Sequence, residues 1–348
     1  MTKKVKIGNL YIGGGERVLV QSMTNTPTDD TQKTIAQIKK LEAVSCDVVR
    51  ITVNTEKASN AVRDIVDNSN VPIVADIHFD YKLALKSIEN GVAKLRFNPG
   101  NIGDFNNVKL IADCAKSHGV PIRVGVNGGS LEKDILEKFG RTPQALVESA
   151  LRHVKLLEKA SFYDTVISVK ASSPKITVDA YRLLSQSCDY PLHIGVTEAG
   201  SDDEGIYKSV SAMGSLLLDG IGDTIRVSLT GDPTKEVEVG KKLLRAVGLD
   251  KDFVEVISCP TCGRCFLDLE SIVRQVKDRT AKLNKSLKIA IMGCVVNGLG
   301  EAGDSDFGIA GGQDKSALFV NGKIVKMISN DDIIDELVRL AGEYTNER

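Results

Sequence analysis

From about residue 17 to residue 248 the chain repeats one phrase eight times: a short β-branched run, a polar loop, then a longer stretch with apolar residues three and four apart. The runs cover 18–23, 47–53, 72–76, 93–97, 121–126, 165–169, 192–196 and 224–228, with helix-compatible stretches such as 30–44, 55–68 and 143–160 between them. A strand followed each time by a helix meets the next strand in parallel, because the helix carries the chain back to the starting edge. Eight such units suit a closed TIM (β/α)8 barrel better than an open doubly wound sheet. No Gly-x-Gly-x-x-Gly opens the first unit, which also disfavours a dinucleotide-binding fold.

Beyond Gly248 the phrase stops. A helical stretch over 267–283, a strand over 287–292 that delivers Cys294, a segment at 307–312, a hairpin of 316–320 and 323–328 about Asn321-Gly322, and a helix over 331–344 predict a smaller α/β domain. The expected division is a substrate-binding barrel at 1–250 and a second domain at 251–348.

The 348 residues are 42% apolar, ample for a large core, and carry a formal charge of -1 with no long basic run. Nucleic acid is therefore an unexpected partner and a small molecule the expected one. Residues 1–20 break their apolar positions with charges and glycines, so neither a secretory signal nor a membrane span is expected, and the expected location is cytoplasmic. Seven cysteines, three of them within seven positions, fit metal ligation in a reducing compartment better than a disulfide scaffold. Cys46, Cys114 and Cys188 stand alone and are expected as core fillers.

In such barrels chemistry sits where strands end and βα loops begin. Those ends carry Arg50 with Thr52 and Asn54, Asp76 with His78, Arg96 with Asn98, Arg123 with Asn127, Lys170 with Ser172, Thr197 with Glu198, and Arg226 with Ser228. A guanidinium in an apolar strand needs an anionic partner. Structural ion pairs would explain any one arginine, but Asp76 and Glu198 supply too few charges for the set. The expected ligand carries one or two phosphates, captured by planar forks, with Asn127, Thr197 and Ser228 at the same ends. The loop from Gly125 to Ser130 offers backbone amides to the same anion. Lys170 reads as a phosphate contact or a Schiff-base nucleophile. Asp76, His78 and Glu198 are the acid–base candidates, Glu198 on the expectation that burial tunes it. His118, His153 and His193 read as structural.

The run Cys259-Pro-Thr-Cys262-Gly-Arg-Cys265, answered by Gly-Cys294-Val-Val-Asn-Gly-Leu-Gly-Glu301, suits an iron–sulfur cluster or zinc. If Cys259, Cys262 and Cys294 are ligands, Glu301 is placed to be the fourth, and a carboxylate on a soft site is easily displaced. If all four cysteines bind, the site is saturated, as structural zinc or an electron-transfer cluster. A phosphate-binding barrel aldolase with Schiff-base Lys170 and a zinc domain is thus one alternative, and a non-catalytic electron carrier another.

Almost the whole chain resembles the bacterial 4-hydroxy-3-methylbut-2-enyl diphosphate synthases of the non-mevalonate isoprenoid pathway. The resemblance is carried by Val-Arg-Ile-Thr-Val at Arg50, Ala-Asp-Ile-His-Phe at Asp76, Leu-Arg-Phe-Asn-Pro-Gly-Asn-Ile-Gly at Arg96, Arg-Val-Gly-Val-Asn at Arg123, Gly-Val-Thr-Glu-Ala-Gly at Glu198, Ser-Cys-Pro-Thr-Cys-Gly-Arg at Cys259 and Gly-Cys-Val-Val-Asn-Gly at Cys294. It implies an iron–sulfur domain behind the barrel, with a [4Fe-4S] cluster on Cys259, Cys262, Cys294 and Glu301. The implied substrate is 2-C-methyl-D-erythritol 2,4-cyclodiphosphate, opened and dehydrated with two electrons from a flavodoxin or ferredoxin. It also implies a head-to-tail homodimer in which one subunit's cluster caps the other's barrel. Topology points the same way, since the last barrel helix ends opposite the mouth. Two positions depart from the family pattern: Cys265, where no cysteine is usual, and Leu299, where proline is. The middle insertion of plant-type forms is absent.

Overall fold

The computed structural model describes residues 1–296, 300 and 302–344. It divides into two compact units, Met1–Leu249 and Asp250–Arg348.

The first unit opens with a small antiparallel hairpin, β1 (Val5–Ile7) and β2 (Leu10–Ile12), which the sequence pattern did not announce. Eight parallel strands follow: β3 (Leu19–Met23), β4 (Val48–Thr52), β5 (Ile73–Asp76), β6 (Lys94–Phe97), β7 (Ile122–Asn127), β8 (Thr165–Lys170), β9 (His193–Ile194) and β10 (Thr224–Ile225). They lie in the order β8-β7-β6-β5-β4-β3-β10-β9, and a parallel bridge from Ile167 to Leu192 closes the ring. The barrel expected from the repeat is therefore present. Its last two strands are shorter than the five-residue runs at 192–196 and 224–228, holding two laddered residues each.

Helix starts follow from short polar side chains at the ends of the βα loops. Thr55, Asp104, Thr142 and Ser173 each accept a hydrogen bond from a backbone N–H of the first turn, and Pro143 and Pro174 occupy the first helical positions, where no donor is needed.

Strand alternation sorts the barrel into two environments. Outward residues such as Val49, Ile51, Ala75, Leu95, Phe97, Val124 and Ile167 pack into one core with the helices. Inward, the floor is apolar: Leu19, Val48, Val74 and Val166 pack against Val5, Ile7 and Ile12 of the hairpin, which plugs the N-terminal end. Above that floor the inward positions carry Arg50, Asp76, Lys94, Arg96, Arg123, Lys170 and His193, where a barrel of this type ordinarily stacks branched apolar residues.

The second unit is a five-stranded sheet of β11 (Val254–Ser258), β12 (Leu287–Met292), β13 (Phe307–Ala310), β14 (Lys315–Val320) and β15 (Lys323–Ser329), in that order. The first three run parallel and the last two close an antiparallel hairpin. Its turn residues, Asn321 and Gly322, have φ of 48° and 73°, the left-handed pair that a two-residue hairpin requires. The helices Leu269–Thr280 and Ile333–Glu343 bury Val276 and Leu337 against Ile289, Ile291 and Phe307. Strand β11 was not among the elements expected from the sequence; as a half-exposed edge strand it shows little apolar signal. No helix among the described residues is long and apolar enough to cross a membrane.

Candidate functional site

The barrel interior holds more cations than its carboxylates can match. Asp76, buried, meets Arg96 Nη1 at 3.0 Å and Arg50 Nε at 3.6 Å, and Arg50 also donates to Met23 Sδ at 3.1 Å and 2.8 Å. Arg96 Nη2 donates to the Gly125 carbonyl at 3.0 Å, and it reaches there because a Cβ on Gly125 would lie 2.7 Å from Arg96 Nε. Burial raises the Asp76 carboxyl, but Arg50, Arg96, His78 and Arg123 outweigh it and hold it below the usual carboxylate range. Arg226 pairs with Glu236 at 3.2 Å, and Glu236 also accepts from Ser22 Oγ and from the Leu229 amide.

Three cations are left over. Arg123 is 1% exposed and its Nε and Nη1 have no hydrogen-bond partner among the described residues; Lys94 is fully buried and its Nζ has none either. Lys170 forms no ion pair among the described residues, its Nζ lying 3.3 Å from His193 Nε2. Burial and the neighbouring guanidinium charges push Lys94, Arg123 and Lys170 well below their ordinary values, and burial pulls Arg50 down to about 10. Arginine is too basic to relieve this strain by losing its proton, so a charged Arg123 calls for an external anion.

Sequence reasoning found Arg50, Arg96, Arg123, Arg226 and Lys170 as a set, and the structure brings them close enough to perturb one another's charge. Lys94, Glu236 and the role of His193 were missed. Lys94 shares the inward parity of Arg96 two residues on, which was a usable signal. Glu236 lies in the first turn of the helix Pro233–Ala246 and reads in sequence as a solvated charge. His153 and His118, read as structural, lie elsewhere: His153 Nδ1 accepts from the Gly100 amide, and exposed His118 bonds back into its own helix.

At the rim two expectations change. Glu198 is exposed rather than buried, because the chain leaves the β9 ladder before it, and its φ of 54° is strained for a residue with a Cβ. It lines a cavity of about 210 Å³ with Gly128, Arg141, Ser172 and Thr197. The amides of the 125–130 loop are largely engaged: Gly125 N donates to Asn98 Oδ1, Gly128 N to the Lys170 carbonyl and Ser130 N to the Asn127 carbonyl. His78 is half-buried beside exposed Phe79; Asn127 and Ser228 are half-buried, Asn127 in register with Lys170.

In the second unit Cys259 and Cys294 follow the C-terminal ends of the adjacent parallel strands β11 and β12, and the Gly293 amide donates to Cys259 Sγ at 3.2 Å. The Phe266 amide bonds to the Gly293 carbonyl and Cys265 N to the Cys262 carbonyl, which folds the Cys-rich loop back over the same strand end. Cys265 Sγ donates to the Leu267 carbonyl at 3.3 Å. Among the described residues no three His, Cys, Asp or Glu side chains converge on a single metal ion. Glu301 lies outside the described residues. Three soft donors on one edge, one of them accepting an amide hydrogen bond, fit a thiolate-held cluster. Cys46 is buried, with burial pushing its thiol up to about 12, and Cys114 and Cys188 pack half-buried against the barrel core.

Among solved structures, the barrel resembles an N-acetylneuraminic acid (sialic acid) synthetase from Leptospira borgpetersenii, with a TM-score of 0.51 and 14% identity over 71% of this chain and 91% of that one. A Yersinia pestis dihydropteroate synthase gives a TM-score of 0.51 and 12% identity over 71% of this chain and 100% of that one; both likenesses concern the fold alone. In sequence, the chain is 55% identical to the 4-hydroxy-3-methylbut-2-en-1-yl diphosphate synthase (flavodoxin) of Caldanaerobacter subterraneus, over 97% of this chain and 96% of the relative. The enzyme of the same name from Clostridium acetobutylicum is 55% identical over 97% of each. The GcpE TIM-barrel domain matches residues 2–241 and the GcpE protein C-terminal domain residues 255–343, so each unit is matched in its own right and the chain belongs to the GcpE family.

Proposed function

We propose that this chain reductively opens and dehydrates 2-C-methyl-D-erythritol 2,4-cyclodiphosphate to 4-hydroxy-3-methylbut-2-enyl diphosphate. The observation that carries the reading is the barrel interior, where, among the described residues, Arg50, Lys94, Arg96, Arg123, Lys170 and Arg226 face Asp76 and Glu236 alone as counter-charges. A cyclic diphosphate supplies the missing charge, and the curated relatives are named as synthases of a diphosphate. A phosphate-binding Schiff-base aldolase with a zinc domain would also use Lys170, the arginines and the thiols, but the near-full-length relatives are named as diphosphate synthases.

The reaction takes up two electrons and one proton per substrate; the ring C–O bond to phosphate breaks, a double bond forms, and the departing hydroxyl leaves as water. A [4Fe-4S] cluster on Cys259, Cys262, Cys294 and Glu301 would, when bound, supply the electrons and a Lewis-acidic iron, with a flavodoxin as the donor that the relatives' names state. The remaining work belongs to the chain. Arg96, Arg123 and Arg226 hold the diphosphate by charge-assisted hydrogen bonds, and Asp76 fixes Arg50 and Arg96 in place. Glu198, exposed at the rim with His78, is the acid–base group for the proton, and Asn127, Thr197 and Ser228 complete the wall. The cluster of a second copy closes the barrel, so the working unit is a homodimer.

Protein purified without oxygen should contain iron and acid-labile sulfide at about four each per chain. With a reduced low-potential donor it should convert the cyclic diphosphate to the allylic diphosphate. Stoichiometric zinc without sulfide, or substrate trapped on Lys170 by borohydride, would sink this reading.

A further inference from the structure

Lys170 is held unlike the other cations of the barrel. On β7 it faces Asn127 in register and Arg123 below; it also faces His193 on β9 and Gly195 just after it; Arg226 just after β10, Arg96 from β6 and Arg50 from β4 add positive charge. The carboxylates are committed elsewhere, Asp76 to Arg50 and Arg96, Glu236 to Arg226. Lys170 Nζ reaches His193 Nε2 at 3.3 Å because Gly195 lacks a side chain there; a Cβ would stand 2.7 Å from that nitrogen.

His193 is itself locked. It is fully buried, its Nδ1 lies 2.7 Å from Thr224 Oγ1, and its carbonyl accepts from Tyr181 Oη at 2.5 Å, while Tyr181 Oη accepts from the Val169 amide at 3.1 Å. Tyr181 thus ties β8, one residue before Lys170, to β9 at His193. A neutral imidazole donates through one nitrogen and accepts through the other. Toward a charged Lys170, which can only donate, Nε2 is the acceptor and Nδ1–H donates to Thr224; toward an uncharged amine the opposite tautomer also fits, so a neutral His193 serves Lys170 in both states. The ring cannot take a second proton without losing the lysine bond among cations, and burial with Arg123 and Lys170 pushes it well below its ordinary value.

We propose that His193 is a positioning residue that presents Lys170 as a proton acceptor, so that entry of a diphosphate loads one solvent proton onto the Lys170 amine. The proposal rests on the diphosphate reading of the same pocket. Before the anion enters, burial and four guanidinium groups favour the uncharged amine; the incoming negative charge reverses the balance, and –NH2 becomes –NH3+ with the proton drawn from water. Arginines cannot supply such coupling, since they hold their protons throughout.

The test is calorimetric titration of the anaerobic, cluster-loaded protein with 2-C-methyl-D-erythritol 2,4-cyclodiphosphate, at several pH values from about 7 to 9, in buffers of different ionisation enthalpy. The ligand's phosphates are diesters or their cyclic equivalent and do not titrate in this range, so a net proton count reports the protein. An uptake approaching one proton per site supports the proposal if it disappears in Lys170→Met and Lys170→Gln. It should keep its pH midpoint in His193→Gln, which retains an acceptor near Nε2, and shift in His193→Phe, which has none. Circular dichroism and cluster absorbance check that each variant is folded. Binding without proton uptake overturns the proposal and leaves the diphosphate reading intact. Uptake that survives loss of Lys170, or vanishes instead in Lys94→Met, overturns it as well. No binding by the wild-type chain overturns both.

Discussion

At the scale of single residues, this barrel separates two kinds of buried cation. Those with a partner, such as Arg96 on Asp76, sit at fixed geometry; Lys94, without one, carries a buried donor that bonds to nothing among the described residues. A lysine that binds protons less readily in the folded chain than in the unfolded one makes stability rise with pH, from its depressed folded value up to the ordinary value of 10.5. Lys94→Met should therefore stabilise the chain by roughly 1–3 kcal/mol near neutral pH, with the gain fading as the pH approaches about 10. Denaturant titrations of both proteins at pH 7 and pH 10 check this, and a gain that grows with pH would refute it. Among the thiols, Cys265→Ser preserves a hydroxyl that can donate to the Leu267 carbonyl and should leave iron and sulfide content unchanged. Cys259→Ser, which replaces the sulfur that accepts the Gly293 amide, should lose the cluster. Loss of the cluster in Cys265→Ser would instead make Cys265 a ligand and remove Glu301 from the set.

At the scale of elements, the site depends on where side chains are missing as much as where they stand. Gly195 follows β9, and a Cβ there would meet the Arg226 carbonyl at 2.5 Å as well as Lys170 Nζ at 2.7 Å. The carbonyl cannot yield, so Gly195→Ala should cost about 1–3 kcal/mol by overpacking. By displacing Lys170 it should also raise KM more than it lowers kcat; an unchanged KM in a folded variant would separate Lys170 from substrate binding. The same element shows what was legible in sequence. The β-branched runs and the Thr, Ser and Asp caps are local signals, and they marked the barrel strands and helix starts well. The inward parity that places Arg96 and Lys94 together was equally local. The hairpin at Val5–Ile12 was not, because three-residue strands carry too little alternation and owe their stability to the barrel floor. Nor was the exposure of Glu198, which follows from β9 leaving its ladder after Ile194, a matter of tertiary pairing. The pairing of Arg226 with Glu236 likewise brings a helix start under a strand end, which spacing alone does not reveal.

At the scale of the whole molecule, the question is which chain's thiols serve which barrel. The last barrel helix, Pro233–Ala246, runs antiparallel to the strands, so it ends at the N-terminal end of the barrel. Leu249 indeed lines a groove with Thr2, Leu192 and Asp223, residues that precede or flank the starts of β9 and β10. Glu198 lies at the other end, lining a cavity among the loops after β7, β8 and β9. The chain therefore leaves the barrel on the side away from its chemistry, and a short tether begins there, with β11 starting at Val254. The homodimer proposed above would resolve this, each chain lending its cluster to the other's barrel. On the proposed roles, Cys294→Ser protein should lack a cluster ligand and Glu198→Gln protein the acid–base group, so each alone should be inactive and a mixture should form heterodimers with one intact composite site. With full exchange, half of the dimers are mixed and each has one working site of two, so activity should recover to about a quarter of the wild-type level. Exchange followed independently, for instance by native mass spectrometry, with no return of activity would place the complete site within a single chain.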